Sequence, residues 1–261
     1  MTLTAHIDAL ERSLRAAFPD GRLQHREVAA STMDLARAEA EAGAPEGTLV
    51  LADEQRQGRG RRGRGWASPP GGLWASLVLR PDTPQAHAGC FSVLVAVGLA
   101  QGLRERFQTP VTVKWPNDLM IAGRKLGGTL IEATSRLDDI AWLIVGVGVN
   151  VRNAVPQDAR VPATSLRDAL GRDVAVTDAA RAAIDGIASA YRRFQASGFA
   201  PIRREGWPQV SALGEHVWVV GGDDQQRVRV EGLAEDGRLI VRANDGIRHL
   251  ASDEITLELE E

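Results

Sequence analysis

Ten consecutive residues, Arg56-Gln57-Gly58-Arg59-Gly60-Arg61-Arg62-Gly63-Arg64-Gly65, carry five arginines and four glycines within an otherwise mildly acidic chain. Such a segment cannot build a core. Glycine gives up the most backbone entropy on ordering, and neighbouring guanidinium groups repel one another. It is either a disordered basic tail or a mobile loop that closes on an anion. The run lies between two strand-like stretches, Thr48 to Ala52 and Leu73 to Leu79, which makes it a loop inside a folded domain. Gly58 to Gly63 formally matches G-x-G-x-x-G, the dinucleotide-binding turn. That turn must open a helix whose N-terminus faces the pyrophosphate, and Trp66-Ala67-Ser68-Pro69-Pro70-Gly71-Gly72 cannot propagate one. Guanidinium forks suit phosphate oxygens, so the loop reads as phosphate-binding.

The 261 residues, 44% hydrophobic and 25% charged, suffice for one large core and a small second domain. A net charge of −3 argues against a general nucleic-acid or membrane-surface binder. Cys90 is the single cysteine; it excludes an internal disulfide, and its apolar setting predicts a buried, inert thiol. No stretch of membrane-spanning length and no signal peptide is apparent, which predicts a cytoplasmic protein. The five histidines are scattered without metal-ligand spacing, so no metal held by the protein is expected.

Periodicity predicts helices over residues 6–17, from Ser31 (as N-cap) to Gly43, over 86–107 and over 178–195. Strands are predicted at Thr48 to Ala52, Leu73 to Leu79, Val111 to Trp115, Leu119 to Ala122 and Leu126 to Ala133. Ile140 to Val151 is so apolar that it belongs at the centre of the sheet. Hairpins outnumber regular crossovers, which gives an α+β fold with a mixed, largely antiparallel sheet packed with helices. Beyond about residue 210, short alternating strands at His216 to Val220, Arg227 to Leu233 and Arg238 to Arg242 are separated by Gly221-Gly222-Asp223-Asp224 and Glu235-Asp236-Gly237. They predict a small all-β module, with domains at 1–208 and 209–261.

Two further constellations accompany the loop. Lys114-Trp115-Pro116-Asn117-Asp118-Leu119, with Gly123-Arg124-Lys125-Leu126-Gly127-Gly128, sets a carboxylate, an amide and two cations at the ends of adjacent strands, where sites are commonly built. Taken singly, these are turn residues and surface lysines. Gly146-Val147-Gly148-Val149-Asn150-Val151 is a strand whose glycines let a ligand approach and whose Asn150 could read one; a bulged core strand competes with that reading.

In this order and spacing the three stretches, preceded by Ser31-Thr32, resemble the biotin protein ligases from about residue 25 to the C-terminus. The resemblance implies a class II synthetase-like catalytic domain and a small C-terminal SH3-like barrel. It implies an ATP-dependent enzyme that activates biotin to biotinyl-5′-AMP with release of pyrophosphate. The biotinyl group then passes to one lysine of a biotin carboxyl carrier protein domain, with magnesium held mainly by the ATP phosphates. Carried over residue by residue, biotin would be bound by Ser31, Thr32, Gln55, Gly58, Arg59, Gly60, Arg61, Trp74, Lys125, Gly127, Gly128 and Gly146. ATP and the adenylate would be bound by Arg61, Arg64, Trp66, Lys114, Asn117, Asp118, Lys125 and Asn150. Lys125, Arg61, Arg64 and Asp118 would carry the chemistry, Asp118 either by serving the incoming lysine or as a magnesium or hydrogen-bond partner. The arginine loop would be a lid, disordered when empty.

Met33 stands where the family often has asparagine, and Gly65 where it often has lysine. About thirty residues precede Ser31, too few for a winged helix-turn-helix, so operator binding is not expected. A lipoate-type acyl protein ligase and a non-enzymatic RNA binder using the arginine-glycine loop remain as rivals. Monomer and homodimer are both left open.

Overall fold

The computed structural model describes residues 3–155, 162–206, 216–221, 224–251 and 256–259. In chain order the elements are α1 (Leu3–Ala17), β1 (Leu23–Ala29), α2 (Thr32–Glu41), β2 (Leu49–Gln55), β3 (Leu73–Leu79), α3 (Cys90–Phe107), β4 (Thr112–Lys114), β5 (Asp118–Ile121), β6 (Arg124–Arg136), β7 (Asp139–Val149), α4 (Leu166–Leu170), α5 (Val176–Ser197) and α6 (Ala200–Gly206). They are followed by β8 (His216–Gly221), β9 (Asp224–Leu233), β10 (Leu239–Ala243), β11 (Gly246–Leu250) and β12 (Thr256–Leu259). The fold is α+β. Seven strands form one sheet in the order β1-β2-β3-β7-β6-β5-β4, with β7 at its centre. Only the β1–β2 pair is parallel among these strands.

The period-2 alternation of a strand assigns the faces of β7. Leu143, Val145, Val147 and Val149 enter the main core, while Trp142 and Ile144 join a smaller cluster under α2. The main core lies under α3 and α5, which are closely apposed. A Cβ on Gly102 would come within 2.0 Å of the Ala182 carbonyl oxygen, and one on Gly186 within 2.1 Å of that of Gly98. This glycine seam lets two long helices share one face of the sheet. Leu10, Leu14 and Phe18 are buried in the same core, so α1 packs as part of it.

The expected helix over 86–107 begins later, at Cys90, after a short 3-10 turn at Gln85–His87. Ser31 sits at the N-cap position of α2 with extended backbone, but its side chain makes no capping bond. The C-terminal strands form a five-stranded antiparallel sheet in the order β11-β10-β9-β8-β12. Two of these strands, β11 and β12, were not anticipated. The expected domain boundary at 208/209 and the turn residues Gly222 and Asp223 lie outside the described residues. The module docks beside the Lys114–Asp118 motif, where Trp115 Nε1 donates to the Gly237 carbonyl at 3.2 Å. No described helix is long and apolar enough to cross a membrane.

Cys90 is fully buried, and burial pushes its thiol up to about 12. Since the thiolate is the reactive form, a disulfide-exchange reagent should label Cys90 only on unfolding. Rapid labelling of the native chain would contradict the packing described here.

Candidate active site

Gly146 and Gly148 lie on the face of β7 opposite the main core, and a cavity of about 520 Å³ lies over this end of the strand. Its wall brings together the ends of β2, β5, β6 and β7, the start of α2 and the arginine loop.

That loop forms a hydrogen-bonded hairpin, where a disordered lid had been expected. Gln55 N donates to Ser68 O at 3.0 Å, Trp66 N to Gly58 O at 2.8 Å and Gly60 N to Arg64 O at 2.7 Å. A 3-10 turn at Arg61–Gly63 closes the tip, with Arg62 at φ 58° and Gly63 at φ 69°. Gly58 is required at the base: a Cβ there would lie 2.4 Å from the Trp66 carbonyl. Three cross-hairpin backbone bonds and one ion-pair cluster account for the order. Arg59 Nη2 lies 2.7 Å from Asp34 and 3.7 Å from Glu132, and Arg37 pairs with both acids. The Arg59 side chain therefore belongs to this charge cluster with α2 and β6.

At one end of the cavity the groups are neutral and polar. Gln55 Oε1 accepts from Thr32 N at 2.8 Å and from Thr32 Oγ1 at 3.0 Å. Gln55 Nε2 donates to Ser68 Oγ at 2.9 Å, and Thr32 Oγ1 lies 2.8 Å from Ser76 Oγ. At the other end the groups are cationic. Lys125 Nζ lies 2.7 Å from Asp118 Oδ1 and 5.2 Å from the centre of the Trp66 ring, a cation–π placement. Arg61 Nη1 donates to Asn117 Oδ1 at 3.0 Å, and Asn117 Nδ2 to the Thr129 carbonyl at 2.6 Å. Arg64 and Lys114 complete this end. Gly128, paired in register with Asp118, leaves room for that carboxylate: a Cβ there would sit 3.2 Å from Asp118 Oδ1.

Three buried polar atoms of this wall, Ser31 Oγ, Trp66 Nε1 and Thr129 Oγ1, have no hydrogen-bond partner among the described residues. Orphaned polar groups are costly in a folded protein, and three in one cavity wall mark a place built for a polar ligand. Among the described residues no group of three or more His, Cys, Asp or Glu is arranged to hold a metal.

The expected site residues are thus largely brought together, with four adjustments. Trp74 pairs in register with Gly148 and so shares its face, but its ring is fully buried, donates Nε1 to the Pro69 carbonyl at 2.9 Å and does not line the cavity. Gly58 and Gly127 also lie outside the lining; a Cβ on Gly127 would stand 2.3 Å from the Gly148 carbonyl, so it serves strand packing. The open face of Gly146 is occupied by the Met33 side chain and that of Gly148 by Trp66. The Asn150 amide is engaged within the protein, by Thr164 O and Asn153 Nδ2. Ser76 and Thr129 were not anticipated as parts of the site; Met33, which stands where the family often has asparagine, lines the cavity. Ser76 had a sequence signal, being the one hydroxyl in the apolar run Leu73 to Leu79.

Residues 26–150 match the Biotin/lipoate A/B protein ligase family, and residues 212–257 match the Biotin protein ligase C terminal domain. The chain is 34% identical over 239 residues to the bifunctional ligase/repressor BirA of Bacillus subtilis, covering 90% of this chain and 74% of that protein. It is 33% identical over 216 residues to the biotin--[acetyl-CoA-carboxylase] ligase of Paracoccus denitrificans, covering 79% and 88%. The solved structure of biotin protein ligase from Aquifex aeolicus in complex with biotin and ATP aligns with a TM-score of 0.79 at 28% identity, covering 92% of this chain and 99% of that one.

Proposed function

Because this chain belongs to the biotin protein ligase family, we propose that it joins biotin to ATP and then transfers the biotinyl group to one lysine of a biotin carboxyl carrier domain. In the first step a biotin carboxylate oxygen attacks the α-phosphorus. The new O–P bond gives biotinyl-5′-AMP, and the bond from the α-phosphorus to the bridging oxygen breaks to release pyrophosphate. In the second, the lysine amine attacks the acyl carbon, AMP leaves, and the amine gives up a proton.

The observation that carries this reading is the polarity of the cavity. A neutral hydrogen-bonding end at Ser31, Thr32 and Gln55 and a cationic end at Arg61, Arg64, Lys114 and Lys125 share one volume. A neutral ureido head group suits the first end, and a carboxylate meeting a triphosphate suits the second. The clamp of Gln55 and Ser76 on Thr32 fixes the polar end before a ligand arrives. Lys125 holds the carboxylate and then the acyl phosphate oxygen, and its 2.7 Å contact with Asp118 supports that carboxylate as the group orienting its ammonium. Arg61 and Arg64 hold phosphate. Little covalent work falls to the protein, whose contribution is positioning and charge stabilisation. The mixed anhydride is labile in water, so the hairpin also has the task of excluding it. Among the described residues Asp118 is the only carboxylate of the lining, and it is paired with Lys125, a donor set that does not fit a magnesium ion held by the protein alone.

Isotope exchange between ATP and pyrophosphate tests the first step. Exchange that requires biotin and is not supported by lipoate is expected. Lipoate-dependent exchange without a response to biotin would overturn the assignment in favour of a lipoate-type ligase.

A further inference from the structure

Gly146 is a strand residue without left-handed backbone, so what it supplies is the absence of a side chain. That space is filled by a protein group: a Cβ built at Gly146 would come within 2.6 Å of Met33 Sδ and 3.4 Å of Met33 Cγ. Met33 is the second residue of α2 and only 4% exposed. On one side it packs in the cluster of Ala36, Ala40, Val50, Val78, Trp142 and Ile144. On the other it lines the cavity beside Ser31 and Thr32. Ser76, which holds Thr32 Oγ1, is the register partner of Gly146. The polar end of the cavity and the Met33 thioether are therefore built on the same stretch of sheet.

We infer that Met33, seated on Gly146, is a specificity-determining wall that limits the ring bulk accepted next to the ligand's polar head group. This rests on the proposed biotin reading, which places the head group at Ser31, Thr32 and Gln55. A thioether is unbranched, polarisable and without a strong hydrogen-bond donor or acceptor, so it receives an apolar ring and sets its depth by contact alone. Because the cluster under α2 is packed, any group that displaces the sulfur from Gly146 drives it into the cavity. Gly146 and Met33 then form a complementary pair: bulk added at one position is felt by the ligand through the other.

A double-mutant cycle on the intact chain tests this, read as biotin Kd by calorimetry and as exchange rate with biotin and with biotin sulfone, whose ring is bulkier at sulfur. Gly146→Ala is expected to weaken biotin about tenfold or more, the scale on which a tight pocket penalises one misplaced methyl-sized group. Adding Met33→Ala to that variant is expected to recover most of the loss. Met33→Ala alone should raise the sulfone-to-biotin rate ratio by roughly tenfold. Met33→Val, shorter but still apolar, provides the same contrast if the alanine variant does not fold. A double variant no tighter than Gly146→Ala, or an unchanged sulfone-to-biotin ratio, overturns the inference. If the unmodified chain neither binds biotin nor shows biotin-dependent exchange, the underlying biotin reading fails instead.

Discussion

Lys125→Ala is expected to lower biotin-dependent pyrophosphate exchange by about 10²–10³-fold, the range seen when one preorganised charge-stabilising group is removed. The biotin Kd should change much less, because the polar head contacts at Ser31, Thr32 and Gln55 are untouched. Two features of the site support an effect of this size. The Lys125 backbone is pinned from both sides, its N donating to Pro162 O at 2.7 Å and its carbonyl accepting from Thr164 N at 2.9 Å. The substitution therefore removes the charge without moving the strand. It also leaves Asp118 facing incoming phosphates with its cation gone, so repulsion adds to the lost stabilisation. Both partners keep some contact with water, at 25% and 24% exposed, so the pair contributes less to stability than a fully buried one would. The melting temperature should accordingly move little while exchange collapses. Wild-type exchange rates in this variant would exclude Lys125 from the adenylation step. The double variant Lys125→Ala, Asp118→Asn should recover part of the rate if repulsion contributes as argued.

The readable parts of this molecule are those whose signal is local. Leu73 to Leu79 is apolar throughout, and the strand has those limits because both of its faces are buried. The central position of β7 follows from the same physics. In contrast, β1 carries Gln24, His25, Arg26 and Glu27 in succession on a sheet edge, and β11 is almost wholly exposed. Neither has an apolar face to betray it. The motifs of the candidate site were legible for a related reason: hairpin strands β5 and β6 bring Asn117, Asp118 and Lys125 together within a dozen residues. Side chains whose partners are distant in sequence were not. The Arg59 guanidinium is drawn off by Asp34 and Glu132, and Met33 fills the hollow of Gly146. These outcomes depend on which elements the tertiary fold sets side by side.

Arg61→Ala should produce a different failure from Lys125→Ala, with the adenylate forming slowly and then escaping. The hairpin is closed at its base by backbone bonds and held at its shoulder by the Arg59 cluster, none of which involves the Arg61 side chain. Its tip is tied to the far wall by the bond from Arg61 Nη1 to Asn117 Oδ1. A hydrogen bond from a charged group contributes about 1.5–3 kcal/mol, so losing this tie speeds opening of the tip by roughly ten- to a hundredfold. The labile anhydride then meets water before it meets the acceptor lysine. In a single-turnover experiment without acceptor, rapid ultrafiltration of the native enzyme should show biotinyl-5′-AMP in the filtrate, with AMP appearing faster than in the unmodified enzyme. With acceptor present, less biotin should be transferred per ATP consumed. Arg56→Ala is the control, since Arg56 is exposed and lies outside the cavity lining, and it should retain the intermediate as the unmodified enzyme does. Equal retention in the Arg61 and Arg56 variants would remove the lid role from the hairpin tip and leave the arginine only its contact with phosphate.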